Sequence, residues 1–145
     1  MEHPTSATEK KMSLLELVTL ASIVEKETGN PTERELVSSV FHNRIKKRMR
    51  LQSDPTTIYG IANFNGNLTK ADLLRYSPYN TYVIYGLPPG PIASPGLAAL
   101  KATLNPAQTN YLYFVANGQG KHLFSETYEK HSRYVNTYQG KGGSK

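Results

Sequence analysis

Cysteine is missing from the chain of 145 residues, which excludes disulfides, a thiolate metal site and a thiol nucleophile. Apolar residues are also sparse, at 38% with a mean hydropathy of −0.49. Ten tyrosines and four phenylalanines, however, supply apolar area that such a scale undervalues. No hydrophobic run is long enough to span a bilayer, because the longest, from Leu14 to Val24, is interrupted by Glu16 and Thr19. The first twelve residues lack the apolar core of a secretory signal. Acidic residues are the minority, eleven against seventeen Lys and Arg, so the chain carries +6 with a pI near 9.5. That balance favours polyanionic partners: nucleic acid, anionic lipid headgroups or acidic cell-wall polymers. The length suits one domain able to bury a core without staples.

Glycine and proline are missing from one stretch in particular, Leu14 to Thr28. Its apolar residues at 14, 15, 17, 18, 20, 21, 23 and 24 recur at helical spacing. Ser13 and Glu16 form a capping-box pair at its start, and Gly29 is placed as the C′ stop. The spacing predicts a buried helix ending in two glutamates, Glu25 and Glu27. On a wheel Glu25 lies roughly 60° from the centre of the apolar face and Glu27 roughly 100°, at its rim. Carboxyls at the edge of a buried stripe cost free energy unless paired, protonated or hydrogen-bonded, which makes the pair candidates for general acid chemistry. The plain alternative is a solvated helix end, bridged to Lys26 or Arg34.

Further along, Asn30-Pro31-Thr32-Glu33 reads as N-cap, first-turn proline and capping glutamate of a second helix running to about Met49. The cluster Arg44, Lys46, Lys47, Arg48 and Arg50 near its end is a solvated face suited to the helix dipole, or a contact for an anionic polymer. Asp54-Pro55 predicts a short helix to Tyr59, and Thr69 with Asp72 caps another. Residues 76–96, with four tyrosines, predict an ordered loop in which only Tyr82–Tyr85 resembles a strand. They either present a stacking surface or pack the loop onto the core. Ser94-Pro95 predicts the cap of a helix ending before Asn105-Pro106. Segments 111–116 and 121–125 flank Asn117-Gly118-Gln119-Gly120 as a β-hairpin, and an amphipathic helix follows over 126–138. The expected fold is therefore α+β. It is a single domain over 12–139 with a buried N-terminal helix, a flexible lead-in at 1–11 and a flexible tail at 140–145.

The four histidines, His3, His42, His122 and His131, are scattered, so no metal site is expected. No serine carries a nucleophile-elbow pattern. The glycine-bearing helix start around Ser94–Gly96 is a weak phosphate signature. What remains is Glu25, Glu27 and Asp54. A carboxyl at the end of a buried helix beside tyrosines suits glycosidic-bond chemistry, where sugars stack on aromatics and an acid protonates the leaving oxygen.

Five ordered motifs then carry a resemblance: ASIVEKET, VFHNR, MRLQSDPTTIYG, YNTYVIYGLPPGPIASPG and NPAQTNYLYFVANGQGKHLFS. Together, over about residues 14–138, the chain resembles the catalytic domain of the endolytic murein transglycosylase (YceG-like) family. The resemblance implies a lytic enzyme cutting peptidoglycan glycan strands and leaving 1,6-anhydro ends, with Glu27 as the catalytic acid. It also implies that Glu25, Gln52, Asp54, Tyr79, Asn80, Thr81, Tyr82 and Ser94 line the glycan groove. No cofactor and no metal are implied. The expected partners are glycan strands and, through regions outside this chain, cell-wall synthesis proteins. The expected place is the cell envelope, on the outer side of the bacterial cytoplasmic membrane, held by an N-terminal helix that this chain does not include. Two competing readings are a non-catalytic wall-binding module and a basic nucleic-acid binder, the latter without a helix-turn-helix, OB or RNP signature.

Overall fold

The computed structural model describes residues 11–138, so the expected tail at 140–145 and all but the last residue of the expected lead-in at 1–11 lie outside the described residues. Among the described residues, six helices and one hairpin follow in chain order: α1 Leu14–Glu27, α2 Arg34–Lys46, α3 Asp54–Tyr59, α4 Lys70–Leu74, α5 Leu97–Leu104, β1 Tyr113–Ala116, β2 His122–Ser125 and α6 Tyr128–Tyr138. This is the expected α+β class.

Helix α1 starts with the anticipated capping box: the Ser13 hydroxyl accepts from Glu16 N–H, and Glu16 Oε1 accepts from Ser13 N–H at 2.9 Å. Its second half, Thr19–Val24, is buried, whereas Leu14 and Leu15 in the first turn are exposed. The apolar character of α1 thus serves the core only from the second turn onward. Leu20, Ile23 and Val24 pack with Val37 and Phe41 of α2, Leu51, Ile92 and Ala99 of α5. Small residues at 99 and 102 let α5 lie directly against α1. Fully burying side chains of this kind stabilises by about 1.5–3 kcal/mol each.

Gly29 takes the expected C′ position, without a left-handed φ; α1 ends as Thr28 turns extended, its hydroxyl accepting from Asn30 N–H. Several other local expectations are overturned. Glu33 does not cap α2 with its side chain, since that carboxylate points to His122 across the molecule. Helix α2 stops at Lys46 rather than near Met49, and Arg48 follows in the left-handed region at φ 58°. Buried contacts decide this end: Arg44, 7% exposed, donates to Leu112 O and Arg50 O, which draws the chain back under the helix. Asp54 does not cap α3, whose N-cap position is Ser53. Ser94 does not cap α5 either, because Gly96 occupies that position.

Residues 82–85 form turns, not a strand. The loop over 76–96 is instead ordered by buried polar side chains. Asn80, 1% exposed, donates to Leu73 O and Arg75 O and accepts from Thr57 Oγ1 and Tyr82 N–H. Further on, Ile92 N–H donates to Ser22 Oγ and Gly96 N–H to Glu25 Oε1, tying the loop to α1. The hairpin pairs antiparallel with Tyr113 opposite Ser125 and Ala116 opposite His122. Its turn needs the positive φ of Gly118 and Gly120, near 80°, which glycine adopts at little cost. Helix α6 lies on the hairpin.

Candidate active site

The two glutamates at the end of α1 are both half-buried, but their side chains part. Glu25 accepts from the backbone of Gly96 at 2.9 Å and so anchors the start of α5. Glu27 accepts a hydrogen bond from Ser53 Oγ at 2.5 Å. Ser53 is itself 1% exposed and tightly framed. Its N–H donates to Thr81 Oγ1 and its carbonyl accepts from Thr56 Oγ1, while the Thr56 and Thr81 hydroxyls bond each other at 2.7 Å. With the Thr56 hydrogen directed to Ser53 O, the Thr81 hydroxyl must donate to Thr56. These bonds fix the Ser53 backbone, and its hydroxyl, which donates to Glu27, orients the carboxyl from a buried frame.

Glu27 lines a cleft of about 320 Å³. Gln52, Asp54 and Tyr82 share its wall, with Tyr113 and His122 of the hairpin and His131 of α6 opposite. Gln52 adopts φ 53°, a left-handed conformation that costs a non-glycine residue about 1–3 kcal/mol and recurs at functional sites. Buried Leu51 and Ser53 on either side, and the bond from Gln52 N–H to Thr81 O, hold it there while its side chain stays exposed. The Tyr82 hydroxyl donates to Asp54 Oδ1 at 2.6 Å. Burial, followed by this bond and the negative charges of Asp54 and Glu27, pushes the Tyr82 phenol far above its ordinary range, so it stays a donor. The Arg44 guanidinium also lines the cleft, 5.0 Å from the Tyr113 ring centre. Burial is the main cause that lowers its pKa.

Of the residues expected to line the groove, the structure thus brings Glu27, Gln52, Asp54 and Tyr82 together. The others lie elsewhere. Asn80 and Thr81 are buried in the frame behind Ser53. Tyr79 packs on Tyr59, ring centres 4.8 Å apart, and against the core. Ser94 is exposed ahead of α5, and Glu25 faces Gly96. Sequence reasoning missed Ser53, Arg44 and the pair Glu33–His122. Nothing in a serine one residue before Asp-Pro signals that it will meet a glutamate 26 positions earlier. No cluster of three His, Asp or Glu that could hold a metal occurs among the described residues.

The family model described as "YceG-like family" matches residues 1–137. The chain is 41% identical over 128 residues to the endolytic murein transglycosylase of Bacillus subtilis, covering 88% of this chain and 36% of that protein. It is 37% identical over 132 residues to the endolytic murein transglycosylase of Streptococcus pneumoniae, covering 87% of this chain and 24% of that one. The crystal structure of a YceG-like protein from Listeria monocytogenes superposes with a TM-score of 0.78 at 45% identity, covering 87% of this chain and 40% of that chain. The chain therefore spans well under half the length of these relatives. Because the family model runs through α1, the Ser53 frame, the tyrosine loop and the hairpin alike, the chain belongs to the YceG-like family.

Proposed function

We propose that this domain cuts peptidoglycan glycan strands internally, between N-acetylmuramic acid and N-acetylglucosamine, as a lytic transglycosylase. The observation that carries the reading is Glu27, held by a buried serine hydroxyl at the edge of a cleft whose wall also holds Gln52, Asp54 and Tyr82. The names of the Bacillus and Streptococcus relatives support the substrate class.

In this reading protonated Glu27 donates to the bridging oxygen, and the muramyl 6-hydroxyl attacks C1 as that bond breaks. The nucleophile is part of the substrate, so the second carboxylate of a hydrolase is not required and one carboxyl can serve both proton transfers. The product ends in a 1,6-anhydro sugar. Gln52, Asp54 and Tyr82 hold the sugars by their polar groups. Glu25, Tyr79, Asn80, Thr81 and Ser94, matched to the family's groove, contribute through the wall they build. The positive charge of the chain favours an acidic wall polymer. The protein then works at the outer side of the bacterial cytoplasmic membrane, and partners in wall synthesis are met through the rest of a longer protein.

Mass spectrometry of muropeptides after incubation with purified peptidoglycan tests the proposal. Anhydromuramyl ends within formerly continuous strands are the expected product. Reducing, hydrated ends would make the domain a hydrolase, and strands bound but left uncut would make it a binding module.

A further inference from the structure

A second titratable group is built into the same cleft. His122 opens β2, and its ring nitrogen Nδ1 lies 2.8 Å from Glu33 Oε1. The other oxygen of that carboxylate, Oε2, accepts from the His122 backbone N–H, also at 2.8 Å. Glu33 is 6% exposed, so both of its oxygens are committed to one residue in a place where a carboxylate is costly to bury for packing alone. Because a carboxylate can only accept, Nδ1 carries the hydrogen, and the neutral ring keeps its lone pair on Nε2. No described residue hydrogen-bonds Nε2. The ring packs perpendicular to Phe114, with centres 5.3 Å apart and planes at 89°, which fixes its orientation further.

The position of His122 relative to Glu27 adds a second, independent observation. Beyond the 320 Å³ cleft lies another depression of about 470 Å³, formed by the end of α1 and the hairpin turn. Glu27, Ala116 and His122 line both cavities. A polymer that occupied both would pass these three residues.

We propose that His122, oriented by Glu33, is the group that takes the proton from the attacking hydroxyl. This inference rests on the glycan-cleaving reading above and changes one step of it. Glu27 gives its proton to the bridging oxygen as the C1–O bond breaks. His122 Nε2 receives the proton of the muramyl 6-hydroxyl as its oxygen bonds to C1. Glu27 ends as carboxylate and His122 as imidazolium, and one proton returned through water restores both. Glu33 is then a positioning residue that fixes the tautomer.

The experiment compares the wild-type domain with His122→Gln and Glu33→Gln on purified peptidoglycan, and records histidine ¹⁵N spectra of the Glu27→Gln variant with and without soluble glycan strands. His122→Gln should lower kcat by about 10²-fold, the usual scale for a general base, with KM changed less than about threefold. The spectra should show hydrogen on Nδ1 and a bare Nε2 whose resonance moves when strands are added, and Glu33→Gln should mix the tautomers. A kcat within about threefold of wild type for folded His122→Gln overturns the inference. If that variant does not fold, a ring with hydrogen on Nε2, or an Nε2 resonance indifferent to bound strands, overturns it instead. Wild-type protein that binds strands yet releases no product would remove the glycan-cleaving reading itself, and with it this step.

Discussion

The Ser53 hydroxyl donates to Glu27 Oε2 at 2.5 Å from a position that solvent scarcely reaches. A hydrogen bond of this kind contributes about 0.5–1.5 kcal/mol net, and small misplacements of a reacting group are expensive in rate. Ser53→Ala is therefore expected to lower kcat about tenfold while the thermal midpoint falls by only a few degrees. Steady-state rates on purified strands, paired with a melting curve, check both halves. An unchanged kcat would show that the frame does not orient the acid.

Two glutamates one residue apart offer an internal control. Glu27→Gln should reduce turnover by 10²–10⁴-fold, about the range a general acid contributes, with the fold intact. Glu25→Gln keeps an amide oxygen able to accept from Gly96 N–H and should retain activity within about threefold. Glu25→Ala removes that acceptor from the start of α5 and should cost about 1 kcal/mol in stability, as loss of a cap does. The measurement is the same pair of assays on all three variants; a reversed order of rates would move the acid to Glu25.

Tyr82 gives a pH signature. Its folded pKa is raised, mainly by burial and then by the bond to Asp54, so the folded state holds the phenolic proton more tightly than the unfolded chain does. The stability this provides is fully present below the unfolded tyrosine value of about 10 and is lost as pH rises from there through the raised folded value. Denaturation midpoints measured between pH 9 and 11 should fall more steeply for wild type than for Tyr82→Phe. Parallel curves would show that Tyr82 has no share in the alkaline decline.

Charge alone does not make a nucleic-acid binder here. Arg44 is turned inward, and Arg50 lies over the Tyr85 ring at 4.1 Å. Two members of the basic cluster are thus engaged within the domain. Binding to DNA or RNA should be weak, indifferent to sequence and abolished by moderate salt. Titration at two ionic strengths checks this, and a tight sequence-selective complex would overturn the wall-directed reading.

Legibility followed the range of the forces involved. The capping box at Ser13, the Thr69–Asp72 box and the hairpin turn depend on residues within a few positions of one another, and the sequence shows them directly. Helix ends set by distant partners were misread. Glu33 has the spacing of a capping glutamate, but His122 competes for it from 89 positions away. The end of α2 depends on carbonyls that Arg44 finds at positions 50 and 112. The same holds in the cleft. Of the residues in the family motifs, Gln52, Asp54 and Tyr82 line the cleft while Asn80 and Thr81 are internal props, and the serine that meets Glu27 has no local signal.

The tyrosine-rich wall has no strand ladder, and the Asn80 amide is one hub of its order, beside the ties that Thr81, Ile92 and Gly96 make. Hydrolysis of that amide to a carboxylate, the ordinary ageing reaction of asparagine, would set a negative charge against the carbonyls of Leu73 and Arg75 that it now serves as donor. Loss of those bonds would favour local opening around Asn80 before the α1–α2–α5 core, since local openings need far less free energy than global unfolding. The working lifetime of the cleft then depends in part on the chemistry of one side chain. Hydrogen exchange on aged protein would register it as lost protection at residues 72–84 alone.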